Sequence, residues 1–172
     1  MRFSPSVKAG LAIITFALLI FCSISNAEKP QEKADLVVIE KSKHLLSIYK
    51  ADKLLASYHV AFGGNPTGTK QKEGDKKTPE GRYILDYRME NSVYHKAFHV
   101  SYPNAKDTEN AKKLGVSPGS AIMVHGQKNG FDWASSIVQR FNWTKGCVAL
   151  ANQDIDKMWA KVDAGTPIEI KP

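Results

Sequence analysis

Apolar positions in the first half of the chain come in short runs separated by turns, the pattern of strands rather than helices. Leu36-Val37-Val38-Ile39 predicts a strand, Lys41-Ser42-Lys43 a turn, and Leu45 to Tyr49 a returning strand. Ala51-Asp52-Lys53 makes a second turn into a third strand, Leu54 to Phe62, so the chain opens as an antiparallel meander. Residues 63–82 then lose all periodicity. They are rich in Gly, Pro and Lys and too long for an ordinary connection, which marks a functional or mobile loop. Thr78-Pro79-Glu80-Gly81 predicts a turn into a strand over Arg82–Arg88, and Pro103 stops another over Ala97–Tyr102. Asp107 is expected to cap a short helix running through Leu114 and ended by Gly115. Gly119 releases a strand over Ala121–His125.

Helical spacing enters only later. Trp133, Ile137 and Phe141 recur at i, i+4 and i+8, predicting a short amphipathic helix with Trp133 in the core. Asn152 is expected to cap a helix whose inward stripe is Ile155, Met158, Trp159 and Val162, ended by Gly165 and followed by a strand over Thr166–Ile170. Asp132 and Asp154 suit helix starts, and His44 and His59 read as strand residues near the surface. The fold class is therefore mainly β (α+β), a sandwich of short, mostly antiparallel strands with a few short helices. No repeat, low-complexity tract or second domain is present in the pattern.

The N-terminus follows a different logic. Arg2 and Lys8 precede an apolar run from Ala9 to Cys22, and Ser25 and Ala27 place small residues at −3 and −1 of a cut. This predicts a secretory signal over residues 1–27, then a flexible lead (28–34) and one domain (35–172). The run is shorter than the about 20 residues a spanning helix needs; an uncleaved anchor is the alternative. Lipidation of Cys22 fits poorly because bulky Phe21 precedes it. The expected destination lies across the inner membrane, in the periplasm or cell envelope. The remaining 145 of 172 residues can bury a sizeable single core. Net charge falls from +7 to +5 with Arg2 and Lys8. The lysines are scattered, without the clustered basic and aromatic pattern of a nucleic-acid binder, and nucleic acid is not an expected partner. The loop glycines 63, 64, 68, 74 and 81 match neither GxGxxG nor GxxxxGK[ST], so a phosphate cradle is unsupported.

Cysteine usage sharpens the picture. Once Cys22 leaves with the signal, Cys147 is a lone thiol in an oxidising compartment. His125-Gly126 and Gly146-Cys147 sit at the ends of two short apolar runs, so a base and a thiol can meet on neighbouring strands. An adjacent imidazole raises the thiolate fraction of a group whose free pKa is about 8.5. Gly126 and Gly146 let backbone approach the reacting centre, and Gly146 leaves the Cys147 N–H facing an oxyanion. A buried, idle cysteine beside a histidine remains the bland alternative. Trp143 is placed to wall the cleft, Thr144 to hydrogen-bond near the thiol, and His99 to line the cleft or support His125. With a single cysteine and no CxxC, a metal is not expected, at His95 and His99 or elsewhere.

The segments IMVHG (122–126) and TKGCVALAN (144–152) resemble the signature of L,D-transpeptidases with a YkuD-type catalytic domain: HG, a spacer, [ST]-x-G-C, a hydrophobic residue and a following Asn. The matches are His125, Gly126, Thr144, Gly146, Cys147, Val148 and Asn152, and GDKKTPEGRY (74–83) and SYPN (101–104) are similar to the YafK-like branch. The resemblance implies a mostly β enzyme of the cell envelope acting on peptidoglycan stem peptides without metal or cofactor. It implies that Cys147 attacks the carbonyl at the L-centre of diaminopimelate in position 3, that His125 moves the proton, and that N–H groups near Gly146 and Cys147 hold the oxyanion. The acyl group then passes to a stem amine, a protein lysine or water. Ala149 stands where many relatives carry Arg, which leaves donor recognition and acceptor choice open. Some YafK-like members with Ala there resemble amidases that cut an envelope protein from peptidoglycan. A hydrolase of this type and a non-catalytic peptidoglycan-binding module are the competing readings.

Overall fold

The computed structural model describes Met1 and residues 32–172; the expected signal, Cys22 and residues 28–31 of the expected lead lie outside the described residues. Strands β1 (Leu36–Glu40), β2 (Leu45–Lys50) and β3 (Lys53–His59) form the expected antiparallel meander. After the long loop come β4 (Gly81–Ser92), β5 (His95–Val100), helix α1 (Ala105–Lys113) and β6 (Met123–His125). One helical turn, α2 (Ser135–Val138), precedes β7 (Val148–Ala149), α3 (Asn152–Lys161) and β8 (Thr166–Lys171).

All eight strands belong to one sheet in the order β3-β2-β1-β8-β4-β5-β6-β7. The β1/β8 and β6/β7 pairs are parallel and the others antiparallel. The sheet curls until its two edge strands meet: chain leaving β3 bridges back to β7 and the turn before it, at Ala61–Ala149 and Gly63–Thr144. The two layers expected of a sandwich are thus parts of a single curled sheet. Closure removes the exposed edge that β7, two residues long, could not protect.

β1 is central and apolar without alternation, because Val37, Val38 and Ile39 are buried on both faces. β4 and β8 alternate instead, with Tyr83, Leu85, Ile168 and Ile170 turned into the core. α3 closes the core with Ile155, Met158 and Val162, while Trp159 packs on Phe98 at 5.1 Å between ring centroids. Every described strand and helix, with the core cluster, lies between Ala34 and Lys171.

Local expectations fail in three places. The N-cap of α1 is Asn104, not Asp107; Asp107 sits three residues in and closes a capping box with it at 3.0 Å in each direction. Asn152 is the first residue of α3, and its side chain does not cap that helix. The helix predicted around Trp133, Ile137 and Phe141 is a 3₁₀ turn over Asp132–Ala134 that runs into the single α-turn of α2, and all three side chains face solvent, so Trp133 is not a core residue.

The loop over 63–82 is firmly braced. Asp75 accepts N–H bonds from Gln71 (2.8 Å), Lys72 (3.1 Å) and Lys77 (3.0 Å), and the buried Lys70 ammonium at 2.9 Å. Lys41, also buried, donates to Gly68 O and Glu80 Oε1, both at 2.7 Å. A buried ion pair is tolerated here because hydrogen bonds fill its remaining valences. Burial pushes the Asp75 carboxyl up, but the Gln71 N–H, the Lys70 ammonium and the Lys77 and Lys72 N–H groups outweigh it and hold its pKa at about 2.

A depressed folded-state pKa contributes stability that is full above the unfolded value of 3.8 and lost as pH falls toward 2. Asp75→Asn is therefore expected to cost about 2 kcal/mol at neutral pH and to flatten the acid loss of stability between those values. Urea unfolding across pH reads both effects; a variant as stable as the parent at neutral pH refutes the brace.

Candidate active site

The end of β6 and the start of β7 carry the two residues singled out from sequence. Their parallel register pairs Val124 with Val148 and His125 with Ala149. Continued back one residue, it sets Cys147 beside Met123, so Cys147 and His125 share one face of the sheet. The other face holds Val124, Val148 and Leu150 in the hydrophobic core. The core thus anchors the backbone at Cys147 and His125 from beneath.

His125 is almost fully buried, and its ring is held on several sides. Nδ1 lies 2.6 Å from the Gly126 carbonyl oxygen. A carbonyl only accepts, so Nδ1 carries the proton and Nε2 is left as a free acceptor, the tautomer a general base needs. Tyr94, from the turn joining β4 to β5, lies 4.6 Å from the imidazole between centroids, and Trp143 meets it edge-on at 5.7 Å. Trp143 thus packs against the imidazole, and its Nε1 is buried without a partner among the described residues. Tyr94 was not legible beforehand, because its position depends on the hairpin folding back over β6.

Gly126 serves close packing. A Cβ there would sit 2.6 Å from Asn152 Oδ1 and 3.1 Å from Tyr94 O, and its N–H is shared between the carbonyls of Tyr94 and Lys96. It is not an oxyanion donor. Asn152 Oδ1 accepts the Gln127 N–H at 2.7 Å, and the buried Gln127 side chain donates to Leu150 O at 3.1 Å. These two amides tie the segment after His125 to the segment after Cys147. The helix-cap role assigned to Asn152 goes unused, and Gln127 offered no distinguishing sequence signal.

The cysteine turn is built around Thr144. Its hydroxyl donates to Cys147 O at 2.7 Å and accepts the Gly146 N–H at 3.1 Å. Thr144 is buried and braces the turn that carries the thiol. The Gly146 N–H is likewise committed, so of the expected oxyanion donors only the Cys147 N–H stands without a partner among the described residues. Gly146 has φ +130°, and a Cβ on it would lie 2.6 Å from Lys77 O. Thr78 Oγ1 donates to its carbonyl at 2.9 Å. The braced loop is thus the floor of the cysteine turn.

The thiol donates to Ala121 O at 3.7 Å, a carbonyl presented by a residue in the left-handed region (φ 56°). Burial pushes the Cys147 thiol up, opposed by the Met123 N–H and the charge of Lys70. Burial pushes His125 down, opposed by its bond to Gly126 O. Both shifts favour the neutral thiol and neutral imidazole, so the thiolate expected from the bare pair is not preformed in this arrangement.

His99 shares the outer face of β5 but is engaged elsewhere: its Nδ1 donates to Asp86 at 2.7 Å and its ring stacks on Tyr87 at 4.5 Å. The ring contacts of His125 come from Tyr94 and Trp143, not from His99. His95 pairs with Asp156 at 2.9 Å. Among the described residues no three His, Cys, Asp or Glu side chains converge as a metal site requires.

Residues 34–170 match the family model of the L,D-transpeptidase catalytic domain, YkuD. An Escherichia coli (strain K12) protein named "Putative L,D-transpeptidase YafK" is 30% identical over 174 aligned positions, covering 92% of this chain and 63% of that protein. The helical cell shape determining protein Pgp2 from Campylobacter jejuni superposes with a TM-score of 0.61 at 27% identity, over 82% of this chain and 49% of that one. Bd1075 of Bdellovibrio bacteriovorus superposes with a TM-score of 0.57 at 25% identity, over 83% and 49%. The chain spans less than two thirds of the first of these proteins and about half of the other two.

A neutral pair makes a definite prediction for thiol chemistry. The rate of Cys147 alkylation by iodoacetamide should rise through a single midpoint above the ordinary thiol value of 9.0, with no low-pH plateau. A rate plateau below neutral pH, lost in His125→Ala, would reveal a resting thiolate–imidazolium pair and refute the neutral one.

Proposed function

The chain belongs to the L,D-transpeptidase catalytic domain family, YkuD, and on that premise we propose that it is an exported cysteine acyltransferase acting on peptidoglycan stem peptides. The observation that carries this reading is the tautomer of His125. Its Nδ1 is held by Gly126 O, and its free Nε2 belongs to the strand beside Cys147. The N-terminal basic and apolar pattern of residues 1–27 supports export to the periplasm or cell envelope.

The reaction follows from the groups present. The thiol leaves Ala121 O and passes its proton to His125 Nε2 as sulfur bonds to the substrate carbonyl carbon. Starting from a neutral pair avoids holding two buried charges before substrate arrives. The developing oxyanion faces the Cys147 N–H. The carbonyl is that of the L-centre of diaminopimelate at position 3. Its amide C–N bond breaks, the position-4 D-residue leaves with the proton from Nε2, and a thioester remains on Cys147. An acceptor amine then gives its proton to Nε2, attacks the thioester and releases the thiol. Trp143 and Tyr94 keep water from the imidazole and confine its ring. A role in cell shape, suggested by the name of Pgp2, fits this chemistry.

Hydrolysis is the second reading, favoured by Ala149. This residue is fully buried and bonded through its backbone to Ala61, at 2.8 and 2.9 Å. Its methyl supplies no fork-shaped cation for an acceptor carboxylate. Water then replaces the amine in the second half-reaction, and an envelope protein joined to peptidoglycan becomes a candidate substrate.

Incubation with tetrapeptide muropeptides and protein-bound peptidoglycan, followed by mass spectrometry, tests the proposal. New 3–3 dimers or exchange of the D-residue are expected, abolished in Cys147→Ala and reduced about a thousandfold in His125→Ala. Tripeptide or freed protein without new bonds establishes the hydrolase instead. No product from any substrate, with an unreactive thiol, leaves a binding module and overturns the catalytic reading.

A further inference from the structure

The segment between the two catalytic strands turns its apolar side outward. Phe131, Trp133, Ile137 and Phe141 are 51%, 76%, 60% and 63% exposed. A 3₁₀ turn over Asp132–Ala134 runs into α2, and the N–H groups of Arg140 and Phe141 bond to the carbonyls of Ile137 and Val138. Helical winding therefore persists to Phe141 and lays Trp133, Ile137 and Phe141 along one side. The inner side is pinned down: Ala134 and Gln139 are buried, and His59 Nε2 donates to Gln139 O at 3.0 Å. The Gln139 side-chain amide is buried with neither atom partnered among the described residues. That is a cost which a segment serving only as a connection has no reason to carry.

The charges around the stripe are mostly positive. Lys128, Arg140 and Lys145 are exposed, with the Lys128 ammonium 5.7 Å from the Phe131 ring centroid, while Asp132 is the single acid in residues 128–145. Contiguous exposed aromatic and aliphatic side chains mark an interaction surface. Flanking cations, with an apolar ridge presented convexly on a helical turn, select an anionic lipid surface. A lipid bilayer accepts such a ridge without matched shape, and its phosphates complement the cations.

We propose that residues 128–145 dock the domain on an anionic bilayer. Trp133, Ile137 and Phe141 enter the acyl boundary, and Lys128, Arg140 and Lys145 meet headgroup phosphates. The segment starts directly after Gln127 and ends at the cysteine turn, so docking brings the His125–Cys147 face close to the membrane. The inference rests on surface chemistry alone and is independent of the acyl-transfer reading.

The test uses residues 28–172, which hold every described strand, helix and core residue but lack the N-terminal apolar run. They are mixed with vesicles of phosphatidylglycerol and phosphatidylethanolamine, or of phosphatidylcholine alone. Cosedimentation with the anionic vesicles is expected, about tenfold weaker on the neutral ones. A blue shift of tryptophan emission from Trp133, absent in Trp133→Phe, should accompany it. The W133S/I137S/F141S variant, with its fold checked by Tm, should bind at least about tenfold more weakly. K128Q/R140Q/K145Q should abolish the preference for anionic lipid. No binding of the unaltered domain to anionic vesicles overturns the proposal, as does undiminished binding by the apolar variant. A lipid-free dimer that disappears in the apolar variant would assign the stripe to a second copy of the chain and likewise overturn it.

Discussion

The site depends on one close approach: the backbone at Gly146 lies so near the carbonyl of Lys77 that a Cβ would come within 2.6 Å of its oxygen. Only glycine allows that contact at φ +130°. The contact lets Thr78 hold the Gly146 carbonyl while Thr144 holds the Gly146 N–H, so both polar groups of this residue are satisfied by side chains. The next residue, Cys147, is then presented with its own N–H unengaged among the described residues. A long Gly- and Lys-rich loop becomes a rigid floor because Asp75 and Lys70 pair inside it. The expense of burying those charges is met by four hydrogen bonds to Asp75, three of them from backbone. Fold and thiol are thus coupled through polar contacts, with the hydrophobic core acting only from beneath β6 and β7.

The electrostatics of the resting pair follow from the same enclosure. Desolvation disfavours charge on either partner, raising the thiol and lowering the imidazole. The Lys70 charge and the Met123 N–H work against that on the sulfur without reversing it. A thiol enclosed in this way keeps its proton in the resting site, and the acyl transfer proposed above would couple its release to carbon–sulfur bond formation. An exposed thiolate would be open to oxidation. Neutrality therefore protects the Cys147 sulfur from that loss.

The segment joining the two halves of the site shows how far hydrophobic periodicity reaches as a guide. Trp133, Ile137 and Phe141 do fall along one side of a helical winding, as their spacing requires. A period specifies that side chains share a side, but not which way the side faces. That direction is decided by where the segment is attached. His59 bonds to Gln139 O, and Ala134 and Gln139 take the inner positions, leaving the apolar residues outside.

Much was determined by the chain itself. Short apolar runs and turn residues placed β1, β2 and β8 within a residue, and the thiol with its glycine partners singled out Cys147 and His125. These features are local, encoded by neighbouring residues and read at short range. Other features required the closed sheet. The parallel pairing of β1 with β8 and of β6 with β7 joins segments far apart in sequence or separated by an insert. The tautomer of His125 depends on backbone geometry at Gly126, and the aromatic contact of Tyr94 on a hairpin folded over β6. Asn152 reads equally well as a helix cap or as a clamp, and only the nearness of Gln127 chose between them. Gly146 was legible as a glycine the chemistry needed, but its N–H proved to belong to Thr144. Hydrogen-bond partners across the fold are settled by competition among all groups brought together, and that competition exists only once the sheet has closed.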